Sequence, residues 1–189
     1  MKLTIKQSPF AVYQISTRFE AANDRIKQVL LNASNVANHF AKSKAIDFLT
    51  AELNCPVGQI QSRVEVTPAT ASNPYGELAI MDKPLIKTRH FSPVQTRRGV
   101  YYRPYRKGSG EYVRHGFGPN IRRLGRNVFV REGKKRMPIR MVPGVSLADA
   151  ARRIRLEERI RPFIEVVFVD EYNKGKIGLV FGRKRRVFT

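Results

Sequence analysis

The sequence predicts an α+β fold: an antiparallel β-sheet of about five to six short strands, packed by a long N-terminal helix and a C-terminal helix, with extended terminal arms. Three observations carry that expectation. Apolar residues recur at helical spacing across residues 22–53, short apolar runs alternate with turn residues across 77–142, and a capped helical pattern restarts at Ser146. A chain of 189 residues reads as a single domain, residues 17–182, with an N-terminal arm at 1–16 and a basic C-terminal tail at 183–189. Folding at this size buries roughly 70% of the unfolded surface, so the core needs neither a disulfide nor a metal.

The arm begins Lys2-Leu3-Thr4-Ile5-Lys6, whose period of two is that of a strand, and Pro9 interrupts it. Both chain ends, residues 1–16 and 183–189, are expected to order only against neighbouring subunits. Thr17 opens the first helix, with Glu20 three residues on as a capping box. Ala22, Ile26, Val29, Leu30, Ala33, Ala37, Phe40, Ala41, Ala45, Phe48 and Leu49 form its apolar face, and Asn54 and Pro56 stop it near Leu53. Unbroken, this helix is roughly 50 Å long at ~1.5 Å per residue. Its alanines admit a closely packed backbone, while Asn32, Asn35 and Asn38 mark a polar side and a candidate bend. Residues 57–63 add a turn, 64–67 a brief strand and 68–74 a loop.

Strands are then expected at residues 77–81, 85–91, 99–105, 111–115, 127–131 and 137–142, in an antiparallel meander with one face on the core. Ser146, with Asp149 at the third helical position, starts a second helix that buries Leu147, Ala151 and Ile154. Beyond Arg161 two readings stand. Either Pro162 opens another helix with Ile164, Val167 and Phe168 inward, or residues 163–169 and 177–181 are strands of a hairpin turning at Asn173-Lys174-Gly175. The β-branched content favours the hairpin, and the continuing helical spacing favours the helix.

Composition narrows the function classes. Apolar residues make up 42% of the chain, too many for a disordered protein. The single cysteine, Cys55, has no partner within the chain, which fits folding in a reducing compartment. The N-terminus lacks the apolar core of a signal peptide, and no stretch approaches the ~18 apolar residues of a membrane span, so a soluble protein is expected. The net charge of +21 is uneven: residues 1–82 hold 8 Lys/Arg against 7 Asp/Glu, and residues 83–189 hold 28 against 8. Charge of one sign concentrated this way calls for a negative partner, either nucleic acid or an acidic protein surface.

The cationic stretch reads as scaffold rather than chemistry. In residues 97–146, RRGVYYRPYRKGSGEYVRHGFGPNIRRLGRNVFVREGKKRMPIRMVPGVS, short apolar runs are separated by glycine-bearing turns that carry Arg or Lys. Candidate interface or DNA-facing residues are Arg97, Arg98, Arg103, Arg106, Lys107, Arg122, Arg123, Arg126, Lys134, Lys135 and Arg136. Tyr101, Tyr102 and Tyr105 among those cations resemble the stacking platforms of single-strand binders. The plainer reading is a sheet edge whose charges block unwanted strand pairing. His39, His90 and His115 are dispersed and lack ligand spacing, so no metal site is expected. Gly108-Ser109-Gly110 and Gly116-Phe117-Gly118 read as turns rather than phosphate loops, and Cys55 as a buried thiol. Glu157 and Glu158 lie near Arg153 and Arg161, as surface ion pairs do. No catalytic residue and no cofactor is expected, and the chain reads as a non-enzyme.

The order of elements resembles the minor tail protein Z family of tailed bacteriophages, within the tail-completion and neck proteins of long-tailed phages. PLIKTRHFSPVQTRRGVYYRP, VRHGFGPNI and NVFVREGKKRMPIRMVPGVS carry the resemblance, in the order GV, HGF, VFVREG, MPI, PGVS, and it covers most of residues 17–160. Gly116 and the basic tail depart from the pattern. The resemblance implies a structural virion protein at the head-proximal neck, assembled in the host cytoplasm, that completes or terminates the tail tube and takes part in head–tail joining. It further implies a homo-oligomeric ring, a hexamer by analogy, whose partners are the tail tube protein and the head–tail connector, with non-specific contact to genomic DNA and no membrane. The alternative function is a basic nucleic-acid-binding module, ribosome-associated or involved in DNA packaging.

Overall fold

A row of small residues sets the first long element. In the computed structural model, which describes residues 2–5, 24–74, 76–133 and 137–180, helix α1 spans Asp24–Glu52. Leu30, Ala33, Ala37, Ala41, Ala45 and Leu49 are all buried along one helical stripe. The capping box expected at Thr17 and Glu20 lies outside the described residues. The helix runs on through its asparagines without interruption.

The remaining elements are β1 (Lys2–Ile5), α2 (Val57–Gln61), β2 (Val64–Thr67), β3 (Glu77–Met81), β4 (Val94–Thr96), β5 (Gly99–Tyr102), β6 (Glu111–Arg114), β7 (Phe129–Arg131), β8 (Ile139–Met141), α3 (Leu147–Arg153) and α4 (Leu156–Val180). Two 3₁₀ turns, Thr88–Phe91 and Arg122–Leu124, interrupt the strands. The fold is α+β with a long N-terminal helix. The single meander expected from spacing divides into three small sheets, ordered β1-β3-β2, β4-β5-β6 and β7-β8.

Two further expectations differ from the structure. Residues 85–91 are not a strand: Ile86 makes one bridge to Val145, and Thr88 then turns inward so that its hydroxyl accepts from the Val128 N–H at 3.0 Å. Residues 2–5 do not wait for a neighbouring subunit, since β1 pairs with β3 of its own chain, as its alternating pattern allows.

The chain gathers into two compact units. One comprises Thr4–Ala45, Val64–Ala79 and Leu156–Thr189. Here α4 runs antiparallel to α1. Lys44 Nζ sits 6.0 Å from the Phe163 ring centroid, and a Cβ at Gly175 would overlap Val29, so late α4 meets early α1. That close approach needs glycine, which explains why Gly175 lies inside a helix instead of turning a hairpin. Pro162 falls in the second turn of α4 rather than at its start, forgoing the bond to the Glu158 carbonyl. Ile164, Val167 and Phe168 are half-buried as expected, while Val166 and Val169 are exposed. Asn35 grips the loop after β2: its Oδ1 accepts from the Ala69 N–H at 2.7 Å and its Nδ2 donates to the Ala69 carbonyl at 3.3 Å. Of the three asparagines expected on a polar side, Asn35 is therefore a loop clamp, Asn32 is exposed, and Asn38 is buried.

The other unit comprises Ile46–Arg63 and Ile80–Arg155 with the first residues of β1. Its buried residues include Leu49, Leu53, Ile60, Ile86, Phe91, Val100, Val128 and Leu147. The segment after β5 caps α1, whose last carbonyls lack helical donors. The Arg106 N–H donates to the Glu52 carbonyl at 2.8 Å, and its Nε reaches the carbonyls of Thr50 at 2.9 Å and Leu53 at 3.2 Å. Asn54 returns the contact, its N–H donating to the Pro104 carbonyl at 2.9 Å. At the start of α3, the Ser146 hydroxyl accepts from the Asp149 N–H at 3.1 Å, as the sequence predicts, and donates to the Asp82 carboxylate.

Replacing Asn35 with Ala is expected to cost about 1–3 kcal/mol, because the Ala69 amide and carbonyl lose both partners, read as a lower urea midpoint at unchanged slope. Ser146→Ala removes a helix cap, an expected loss of about 0.5–2 kcal/mol. The Ser146 hydroxyl is the main cause holding the Asp82 carboxyl below its usual range. A depressed carboxyl stabilises above its unfolded value and stops doing so as pH falls through its folded one. The gap between wild type and Ser146→Ala, followed by urea melts, is therefore expected to narrow below about pH 4.

Candidate functional site

Between residues 83 and 140 the chain carries 17 Lys/Arg and only two carboxylates, Glu111 and Glu132. Both carboxylates are already engaged. The Tyr102 hydroxyl donates to Glu111, and Arg140 lies 3.9 Å from Glu132. What remains is cationic surface whose shape is fixed by neutral groups.

The first cleft, of about 640 Å³, lies in the unit that holds β4–β8 and is lined by Gln95, Arg97, Arg98, Gly99, Arg114, His115, Gly116, Phe117, Val130, Arg131 and Gly133. The β4–β5 hairpin pairs Thr96 with Gly99, which places Arg97 and Arg98 at its two-residue tip. Strand β6 pairs Arg114 with Gly99 and brings Arg114 and His115 alongside. Gln95 ties the two walls, its amide donating to the Gly99 carbonyl at 3.0 Å and to the Gly116 carbonyl at 3.1 Å. His115 has φ 57°, a left-handed conformation costly for a non-glycine residue, and its N–H donates to the Arg98 carbonyl at 2.9 Å. Phe117 bridges to Phe129 and so joins this wall to β7. The Arg131 guanidinium covers the Phe117 ring at 5.5 Å.

Two smaller clefts, of about 350 and 450 Å³, adjoin one another through Arg89, Arg122 and Arg126. The 3₁₀ turn Thr88–Phe91 presents Arg89, and the turn Arg122–Leu124 presents Arg122. Gly125 and Arg126 follow with φ 61° and 58°. Arg89 Nε donates to His90 Nε2 at 3.2 Å, and burial, then the charges of Arg89, Arg63 and Lys87, hold the His90 imidazole below its usual range. Among the described residues no carboxylate pairs with Arg89, Arg97, Arg98, Arg114, Arg122, Arg126 or Arg131.

The sequence-predicted residues therefore divide. Arg97 and Arg98 line the first cleft, and Arg122 and Arg126 the other two. Arg123 is exposed without lining any of these clefts, and Arg103 and Lys107 are exposed on the segment after β5. Arg106 is part of the α1 cap, and Lys134, Lys135 and Arg136 lie outside the described residues. Arg89, Arg114, His115 and Arg131 escaped sequence reasoning. The signal for the first three is two Arg-His pairs, Arg89-His90 and Arg114-His115, each at the end of an apolar or strand-like run, and Arg131 carries none.

The tyrosine platform expected of a single-strand binder is not assembled. Tyr102 is buried, and the Tyr105 ring is covered by the Arg153 guanidinium at 4.1 Å. The Tyr101 hydroxyl accepts from the Gly110 N–H at 3.1 Å. Arg153 lies 3.7 Å from Glu52, and Arg161 pairs with Glu157 at 3.2 Å. Cys55 is buried; burial pushes its thiol up, against the pull of Arg63 and Arg106. Among the described residues no group of three or more His, Cys, Asp or Glu could hold a metal ion, and no helix is long and apolar enough to cross a membrane.

Arg106 and Arg98 are expected to respond differently to the same change. Arg106→Gln removes a charged donor from two helix-end carbonyls and lowers stability by about 1–2 kcal/mol, whereas Arg98→Gln stays within about 0.5 kcal/mol, both read from urea midpoints. Comparison with models of protein families, with curated proteins and with solved structures gives no match.

Proposed function

We propose that this chain is a structural, non-catalytic virion protein of a tailed bacteriophage, completing the head-proximal end of the tail as a ring and taking part in head–tail joining. One observation carries the reading. The motifs that resemble the tail-completion proteins form one contiguous cationic body: GV in β5, HGF at the exit of β6, VFVREG through β7, MPI entering β8 and PGVS at the cap of α3. Its polar contacts go to holding backbone shape, which suits a docking surface. Strands β4 and β6 are the outer strands of their sheet, and Val94 and Tyr112 on them are 58% and 50% exposed, which supports copies meeting at sheet edges. Arg103 and Lys107, exposed and outside the clefts, are suited to acidic patches on the tail tube or connector.

Electron microscopy of the purified protein and of the particle that contains it tests the proposal. Closed rings at the junction of tail and head are expected. Isolated monomers absent from any virion, or turnover of a substrate, would overturn it. Deleting residues 183–189 is expected to leave the thermal midpoint unchanged and to lower the yield of joined particles in complementation.

A further inference from the structure

We infer that the arginine clefts form one track for the sugar–phosphate backbone of double-stranded nucleic acid, bound without base readout. The inference stands whether or not the chain completes tails. The two smaller clefts share Arg89, Arg122 and Arg126. The first, though it has no lining residue in common with them, is lined by the same two chain segments: Pro93 and Pro119 stand in one of the smaller clefts, and Gln95 and Phe117, each two residues away, stand in the first. Seven arginines line these clefts, Arg97, Arg98, Arg114 and Arg131 in the first and Arg89, Arg122 and Arg126 in the other two.

Four features select this ligand. Seven guanidinium groups without a carboxylate exceed what one phosphate or one acidic side chain neutralises, so the ligand carries repeated negative charge. Protein docking sites need an apolar centre, and here the exposed face of Phe117 is covered by Arg131. Single-strand binding needs free rings among the cations, and among the described residues Phe117 is the one Phe or Tyr lining these clefts, its ring covered by Arg131. The track is also built before any ligand arrives. Gln95 bridges the Gly99 and Gly116 carbonyls, and His115 and Arg126 hold left-handed backbone on the two sides. Such fixed geometry lets arginines meet phosphates with little ordering cost.

The test is a salt titration of binding by the full-length protein to a fluorescent random-sequence DNA duplex of about 30 base pairs, from about 50 to 200 mM salt. Seven phosphate contacts give an expected log–log slope of about −6. Combining Arg97→Gln, Arg98→Gln and Arg114→Gln is expected to make that slope shallower by about 3. A control triple, Arg103→Gln, Lys107→Gln and Arg159→Gln, removes the same charge from exposed positions outside the clefts and is expected to change it by less than about 1. Should the cleft triple melt below wild type, Arg114→Gln alone is read instead, with a loss of about 1 in slope.

A duplex RNA of the same sequence separates the two sources of phosphodiester. Equal slopes on both support a backbone track that accepts either acid, and a steep slope on DNA alone supports one fitted to the B-form. Three results overturn the inference: a wild-type slope shallower than about −2, equal losses from the two triples, or competition by poly-glutamate as effective per charge as that by DNA. The last would mark the clefts as a seat for an acidic protein.

Discussion

A long helix ends with carbonyls that have no helical donors, and in this chain the rest of the cationic unit is built on how they are satisfied. Arg106 gives its backbone N–H to Glu52 and its guanidinium Nε to Thr50 and Leu53. That holds residues 103–106 against the end of α1, and β5 leads directly into this segment. The placement of β5 then positions the hairpin tip at Arg97 and Arg98 on one flank and Arg114 on the other. The geometry of the first cleft thus follows from a helix cap reached through one strand.

The same unit must hold its shape against its own charge. Two guanidinium groups about 4 Å apart repel by about 1 kcal/mol in water and by about 4 kcal/mol near a protein surface. The sequence offers almost no carboxylates to offset this, and the fold answers with neutral acceptors. Arg63, buried, donates to the carbonyls of Pro84 at 2.8 Å and Gln59 at 2.6 Å. Gln95, Thr96 and Thr88 supply the remaining constraints, each bonding a backbone group. A cationic face held by neutral bonds keeps its charges free for something outside the chain, and both functional readings draw on that property.

What was legible in the sequence was local. Val64–Thr67 and Glu77–Met81 form strands with the expected bounds, and Ser146 caps its helix through Asp149 because both partners lie within one turn. Partners distant in sequence decided the rest. Residues 85–91 have the composition of a strand, yet a hydroxyl at Thr88 answers an amide at Val128 across 40 positions. The choice between hairpin and helix beyond Arg161 turned on Gly175, whose role is set by Val29 and not by its neighbours. Arg106 looked like any other surface cation, and only the end of α1 gives it a different task. The tyrosines resemble a stacking platform in sequence as readily as a sheet edge, because their positions do not reveal that one is buried and another covered. Arg114 and Arg131 were passed over for a related reason: each strand looked ordinary alone, and the cleft exists only where their ends meet.

The amide of Gln95 carries a consequence for how this surface tolerates change over evolutionary time. Three carbonyl oxygens face it, those of Thr96 and Gly99 from one wall and that of Gly116 from the other. Glutamate there would present lone pairs to lone pairs, lysine would crowd another cation among four arginines, and leucine would remove the amide that joins the Gly116 oxygen to the opposite wall. Arg97 and Arg98, at an open tip, face no such restriction. Mutational drift should therefore be slow at the uncharged residue and fast at the charged ones beside it, the reverse of the order in which a reader of surface charge would rank them.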